Sequence, residues 1–171
     1  NYQKALTTLQ AYLEEYPNGS NILMADFYMA ECYKNLGKKE QACDWYRKVI
    51  ESGEGSFLEL SSLNFAKLSY GLQRYSDAYA GYKSLLDNAR IENNRHAAIV
   101  GMMNSAYSGK DWQSAISSAA QVAADNRSDK DDVRRAKYVE AKTLLATSQR
   151  EKAFAILKSL SSETATPEGA E

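Results

Sequence analysis

A small residue, a second residue four positions on and an apolar residue three further on recur five times along this chain. The copies are Ala5-Leu9-Tyr12, Ala42-Tyr46-Val49, Ala78-Tyr82-Leu85, Ala115-Ala119-Val122 and Ala153-Leu157-Leu160. The middle residue is bulky in every copy but the fourth, which holds Ala119. Successive alanines lie 37, 36, 37 and 38 residues apart. A near-constant period of this length marks a repeat architecture, in which no unit buries its apolar face alone and each is covered by its neighbours.

The clearest unit runs from Leu23 to Ile50 and reads as two amphipathic helices joined by a tight turn. Phe27, Met29, Ala30, Tyr33 and Leu36 recur at helical spacing in the first helix. Gly37 ends it, because a residue without a Cβ takes a positive φ at little cost. Ala42, Trp45, Tyr46, Val49 and Ile50 share one side of the second helix. Ala30 and Ala42 fall where the two helices cross, and a larger side chain there costs ~1–3 kcal/mol by overpacking.

The same reading extends along the chain. A first helix over about 1–17 ends at Pro17-Asn18-Gly19, with Ser20 or Asn21 placed to cap the next. Hairpins are expected over 20–52, 56–88, 94–124 and 130–162, and 163–171 reads as the start of a further repeat or a frayed tail. Strand-length alternation of polar and apolar residues is missing and helix formers dominate. The expected fold is all-α, with about nine helices in one array spanning 1–171.

The units resemble tetratricopeptide (TPR) repeats. The residues that carry the likeness are Ala30, Tyr33, Gly37, Ala42, Tyr46 and Val49 in the best unit, and Ala5, Leu9, Tyr12 and Pro17 in the first half-unit. The usual TPR period is about 34 residues, so these units carry roughly two to four more. The resemblance implies a right-handed superhelix whose concave face is lined by the first helix of each pair. Further phrases, Tyr2-Gln3-Lys4-Ala5, Leu13-Glu14-Glu15-Tyr16-Pro17-Asn18-Gly19, Leu68-Ser69-Tyr70-Gly71-Leu72-Gln73-Arg74-Tyr75 and Ala106-Tyr107-Ser108-Gly109-Lys110-Asp111-Trp112, are similar to long envelope-associated TPR proteins of Bacteroidetes. That likeness implies a periplasmic or outer-membrane-associated scaffold, with the cytoplasm as the alternative. Tyr2 to Leu13 is an ordinary repeat helix without a polar cap, so the chain reads as a segment of a longer array, with repeat ends that offer weak self-association.

Composition excludes several classes. With 21 basic and 22 acidic residues in 171, the formal net charge is −1, so a phosphate-binding surface and nucleic acid are not expected. Apolar runs fall far short of a membrane span, so the segment is not expected to insert directly into a bilayer. One histidine, His96, without a cysteine or carboxylate cluster at ligand spacing is not a metal site. Cys32 and Cys43 lie on the two arms of one hairpin and are read as free, half-buried thiols. Glu14-Glu15 and Asp131-Asp132 point in different directions on a helix and form no acid–base couple. No cofactor and no catalytic residue is expected; the chain reads as a non-enzymatic protein-binding scaffold.

On TPR geometry the concave positions are Met24, Phe27, Glu31 and Lys34 in one unit, and Leu60, Leu63, Lys67 and Tyr70 in the next. Gly101 and Ser105 follow, then Arg135, Tyr138 and Lys142. Apolar anchors mixed with both charge signs suit an extended peptide or a partner helix. The other reading of Phe27, Leu63 and Tyr138 is packing between neighbouring first helices, which leaves a spacer segment with no ligand of its own. Glu31 would repel a carboxylate, so the lysine-and-asparagine grip that some TPR modules use on chaperone tails is not expected.

Overall fold

The structure is a computed structural model and describes residues 1–164. Among the described residues all regular structure is helical: α1 (Tyr2–Glu15), α2 (Ile22–Asn35), α3 (Lys39–Glu51), α4 (Leu58–Gly71), α5 (Tyr75–Asn88), α6 (Glu92–Ser108), α7 (Trp112–Ala124), α8 (Lys130–Ala146) and α9 (Arg150–Thr164). The all-α reading therefore holds. Of the stretch read as a further repeat or tail, Glu163 and Thr164 belong to α9, and 165–171 lies outside the described residues.

Caps set several of these boundaries. The Asn1 side chain accepts from the Gln3 and Lys4 amides at 3.2 and 3.4 Å. Asp111 accepts from the Ser114 amide at 3.2 Å, and Asp129 from the Asp132 amide at 2.8 Å. Each satisfies an amide that has no partner within its helix. Asn21 stands at the cap position of α2 without a side-chain bond.

One turn is used four times. Gly37, Gln73, Lys110 and Ser148 all take positive φ, at 73°, 60°, 60° and 63°. In each turn this residue's amide reaches back three residues, and the next residue's amide reaches back five, as in Lys38 to Tyr33 and Arg74 to Ser69. Asp111 to Ala106 and Gln149 to Leu144 complete the set. This paired closure is the Schellman motif, whose left-handed position favours glycine. Only the first copy has one. The other three strain an L-residue by about 1 kcal/mol each, against which a glycine loses more entropy on folding. The combined variant Gln73→Gly/Lys110→Gly/Ser148→Gly is accordingly expected to raise the urea midpoint, each site adding a few tenths to about 1 kcal/mol. An unchanged or lower midpoint would show that the turns carry no strain.

The described residues divide into two compact units, the first Asn1–Asn94 and the second from Arg95 on. In the first unit, α1 packs on α2, α2 on α3, α3 on α4 and α4 on α5. Its main core joins Phe27, Ala30, Ala42, Cys43, Tyr46, Val49 and Phe65, with Phe57 and Leu68 against it. A second cluster, Leu6, Met29 and Cys32, holds α1 to α2. Small residues let helices approach: Ala30, Ala42, Ala66 and Ala78 are fully buried, and Gly81 of α5 lies directly against Phe65 and Ala66 of α4. In the second unit, α7 packs on α8 and α8 on α9. Met102, Met103, Val122, Val139 and Leu144 supply bulk there, around Ala115, Ala119, Ala141 and Ala153.

Candidate partner-binding face

In the first unit, α2 and α4 are the first helices of their hairpins and leave one stripe each uncovered. On α2 it runs through Met24, Tyr28, Glu31 and Asn35, and on α4 through Leu60, Leu63, Lys67 and Tyr70. Met24, Tyr28, Leu60 and Tyr70 are large apolar side chains left exposed. Tyr70 is braced edge-on by Tyr75, with ring centres 5.4 Å apart.

Phe27 is not part of this face. It is buried, stacked on Phe57 at 4.6 Å and close to Tyr46 at 6.3 Å. Its placement among the groove residues is corrected: the ring that faces outward belongs to Tyr28, one residue on, which sequence reasoning missed. Adjacent helical residues differ by about 100° in direction. Because α2 has bulky apolar residues at 24, 27, 28 and 29, the pattern alone does not fix which of them is inside. Gly101 and Ser105 are likewise buried within the second unit.

Glu31 and Lys34 meet each other at 2.7 Å. Glu31 Oε1 also accepts from the Tyr46 hydroxyl, and from Asn64 Nδ2 at 3.1 Å. Asn64 Nδ2 also lies 3.1 Å from the Tyr46 oxygen. One carboxylate thus ties α2, α3 and α4 together at the edge of the exposed stripe. Burial first, and then the Glu31 carboxylate, hold the Tyr46 phenol far above the usual range, so it stays a neutral donor. Because Glu31 is matched by Lys34, the face presents apolar anchors with little net charge beyond Lys67.

In the second unit Arg135, Tyr138 and Lys142 are exposed on α8, and the Lys142 ammonium lies 5.7 Å from the Tyr138 ring centre. His96 of α6 sits between two carboxylates, Asp125 at 2.6 Å on Nδ1 and Asp132 at 3.1 Å on Nε2. The acids address opposite ring nitrogens, which suits an imidazolium that donates from both and not an ion shared by the three. The bond to Asp125, aided by Asp132 and opposed by burial, raises the His96 pKa above 6.5. A raised folded-state value means the stabilisation is complete below the unfolded value of about 6.5 and is lost as pH rises through the folded one. The second unit should therefore lose stability above about pH 6.5, and His96→Gln should flatten that slope in a pH series of thermal melts. A slope unchanged by His96→Gln would assign it elsewhere.

Cys32 and Cys43 are free and buried. Desolvation raises both thiols, so neither is primed as a nucleophile. Among the described residues no helix is long and apolar enough to cross a membrane.

Short turns, paired helices and buried alanines at a fixed period define a helical-hairpin repeat protein. Residues 1–19 and 24–52 match the tetratricopeptide-repeat family model. Over those residues the chain is similar to TPR repeats. A TPR repeat-containing protein of Methanocaldococcus jannaschii is 33% identical over 91 residues, which are 52% of this chain and 28% of that protein. The chain thus spans little more than a quarter of that relative's length. The TPR-like repeats of a putative kinesin light chain from Podosopora anserina superpose with a TM-score of 0.57 at 14% identity, covering 96% of this chain and 87% of that one. The MamA protein superposes at 0.58 with 13% identity, covering 98% and 86%. At these identities the likeness shows the fold alone, a TPR-like helical repeat over 96–98% of this chain. Repeats of this kind generally mediate protein–protein interaction and are generally non-catalytic.

Proposed function

We propose that this chain is a non-catalytic scaffold whose first unit takes an extended peptide or a partner helix on the open stripes of α2 and α4. The observation that carries this is the set Met24, Tyr28, Leu60 and Tyr70, four large apolar side chains exposed on two helices whose inner sides are fully packed. Apolar side chains of the ligand would sit among these anchors, and Glu31, Lys34 and Lys67 would set its register. The envelope location belongs to the same proposal and rests on the phrases that resemble envelope TPR proteins; cell fractionation of the source tests it.

A photo-crosslinking residue at Tyr28 or Leu60 tests the face directly. Both positions should crosslink to one partner sequence, and Met24→Ala/Tyr70→Ala should abolish the product while circular dichroism stays unchanged. Asp44, exposed on α3, is the control position. Crosslinks no stronger from Tyr28 than from Asp44 would leave a spacer role for the segment.

A further inference from the structure

A polar tie recurs near the start of the first helices. Glu59 of α4 accepts from the Arg90 and Ile91 amides at 3.3 and 3.4 Å, and from Asn94 Nδ2 at 2.7 Å. One carboxylate thus holds the segment that leads into α6. His96 stands 37 residues after Glu59, and Asp132 stands 38 after Asn94. These are the spacings from Ala78 to Ala115 and from Ala115 to Ala153. His96 and Asp132 therefore form the same tie one repeat later, between α6 and α8, at 3.1 Å. Asp125, at the end of α7, takes the place of the backbone amides and lies 2.6 Å from the other ring nitrogen.

The two ties differ in chemistry. The bond from Asn94 holds the Glu59 carboxyl below its usual range, so Glu59 stays an acceptor throughout the neutral range. His96 instead meets two acceptors, and an ionised carboxylate offers no proton to either nitrogen. Only the imidazolium donates to Asp125 and Asp132 together, because neutral imidazole has one N–H and one lone pair. The remaining proton stays on Nδ1: the Asp125 contact is the shorter, and the Arg127 amide fixes Asp125 at 3.2 Å. Nε2 then turns its lone pair on the Asp132 carboxylate, and that contact becomes repulsive. Asp125 and Asp132 are the charged groups that face the ring, with Arg127 beside Asp125; Glu92 and Arg95 precede it on α6.

We propose that His96, Asp125 and Asp132 form a pH-sensitive joint within the second unit, which fastens the start of α8 to α6 when the imidazole is protonated and frees it when the proton is lost. The raised pKa of His96 places the change above about pH 6.5. The contact with Asp125 survives, so the loosening is concentrated in the first turn of α8. Because α8 carries Arg135, Tyr138 and Lys142, the joint also governs how firmly that stripe is held. This proposal does not rest on the peptide-binding reading of α2 and α4.

Amide exchange of the whole protein, followed by NMR between about pH 6 and 9 and corrected for intrinsic rates, tests the joint. Protection of the Val133 and Arg134 amides should fall about tenfold, as for the loss of one hydrogen bond to a charged group. The fall should coincide with the titration of the His96 ring resonances. The Arg90 and Ile91 amides, held by Glu59, are the internal control and should not change. Asp132→Asn supplies an N–H that neutral Nε2 accepts, so this variant should keep its protection across the range. His96→Gln, which does not titrate, should show no step either. Circular dichroism checks the fold of both variants. The proposal is overturned if Val133 and Arg134 show no step, or if a step survives in either variant. It is also overturned if Arg90 and Ile91 lose protection alike, because the change is then not local to the joint.

Discussion

Tyr46→Ala is expected to lower the unfolding free energy of the first unit by about 3–5 kcal/mol, the range for truncating a buried aromatic ring. Tyr46 is fully buried on α3. Its ring lies 6.3 Å from Phe27 and its hydroxyl joins Glu31 and Asn64, so it touches α2 and α4 at once. Tyr46→Phe separates the two contributions. It keeps the ring and removes a hydrogen bond to a carboxylate, which is worth about 1.5–3 kcal/mol. The lower end applies here, because Glu31 keeps Lys34 and Asn64 as partners. Trp45 reports on this unit by fluorescence, provided Trp112 is first replaced by Phe. Urea titrations of the three proteins should rank wild type, Tyr46→Phe and Tyr46→Ala in falling stability. A loss below about 1.5 kcal/mol for Tyr46→Ala, short of any ordinary aromatic truncation, would mean that neighbouring side chains fill the space.

The same residue shows why the exposed face and the core depend on each other. Glu31 sits at the rim of the α2 stripe, yet it accepts from a phenol buried in the core. The polar edge of the candidate site is therefore held in place by the packing behind it. Partner residues meeting Met24, Tyr28 and Leu60 on the proposed face would find Glu31 already matched by Lys34. Affinity there should come from apolar burial, with little dependence on salt.

How much of this was visible in the sequence differs by feature. The recurring alanines were: Ala42, Ala78, Ala115 and Ala153 are fully buried, each where two helices meet. A small residue at a crossing is demanded by geometry, so its period survives in the sequence. The turns were only partly visible. Gly37 announces a left-handed position, but Gln73, Lys110 and Ser148 adopt the same φ with side chains that give no hint of it. The backbone closure, not the residue type, sets that conformation. The exposed positions were legible only in part: Met24, Leu60 and Tyr70 are exposed as expected, whereas Phe27, Gly101 and Ser105 are buried. Phe27 and Tyr28 are both aromatic, and Phe57, 30 residues from Phe27, stacks face to face on Phe27 at 4.6 Å and meets Tyr28 only edge-on at 6.1 Å. The Glu31 network was not legible at all, because its partners Tyr46 and Asn64 stand 15 and 33 residues off, on other helices.

Gly81 is the other position where a single change should be costly, and the periodic pattern does not point to it. A Cβ built there would lie 2.8 Å from Phe65 Cδ1, 3.0 Å from Ala66 Cβ and 3.1 Å from Ala66 Cα. The phenyl edge can turn aside. The Ala66 atoms cannot, because they belong to the body of α4. In an open helix, Gly to Ala gains about 1 kcal/mol from propensity. Against this, forcing α4 and α5 apart costs about 1–3 kcal/mol. Gly81→Ala should therefore be destabilising on balance, and Gly81→Val more so, by about 3 kcal/mol or beyond, since the branched Cβ adds a second clash. Gly71 provides the internal control. It too is helical, but nothing lies within 4 Å of a Cβ placed on it. Gly71→Ala should stabilise by about 0.5–1 kcal/mol. Opposite signs at the two glycines in urea titrations would establish that α4 and α5 are in backbone contact at Gly81. If both alanine variants stabilise, the helices can separate at little cost, and the close approach is not what holds this hairpin together.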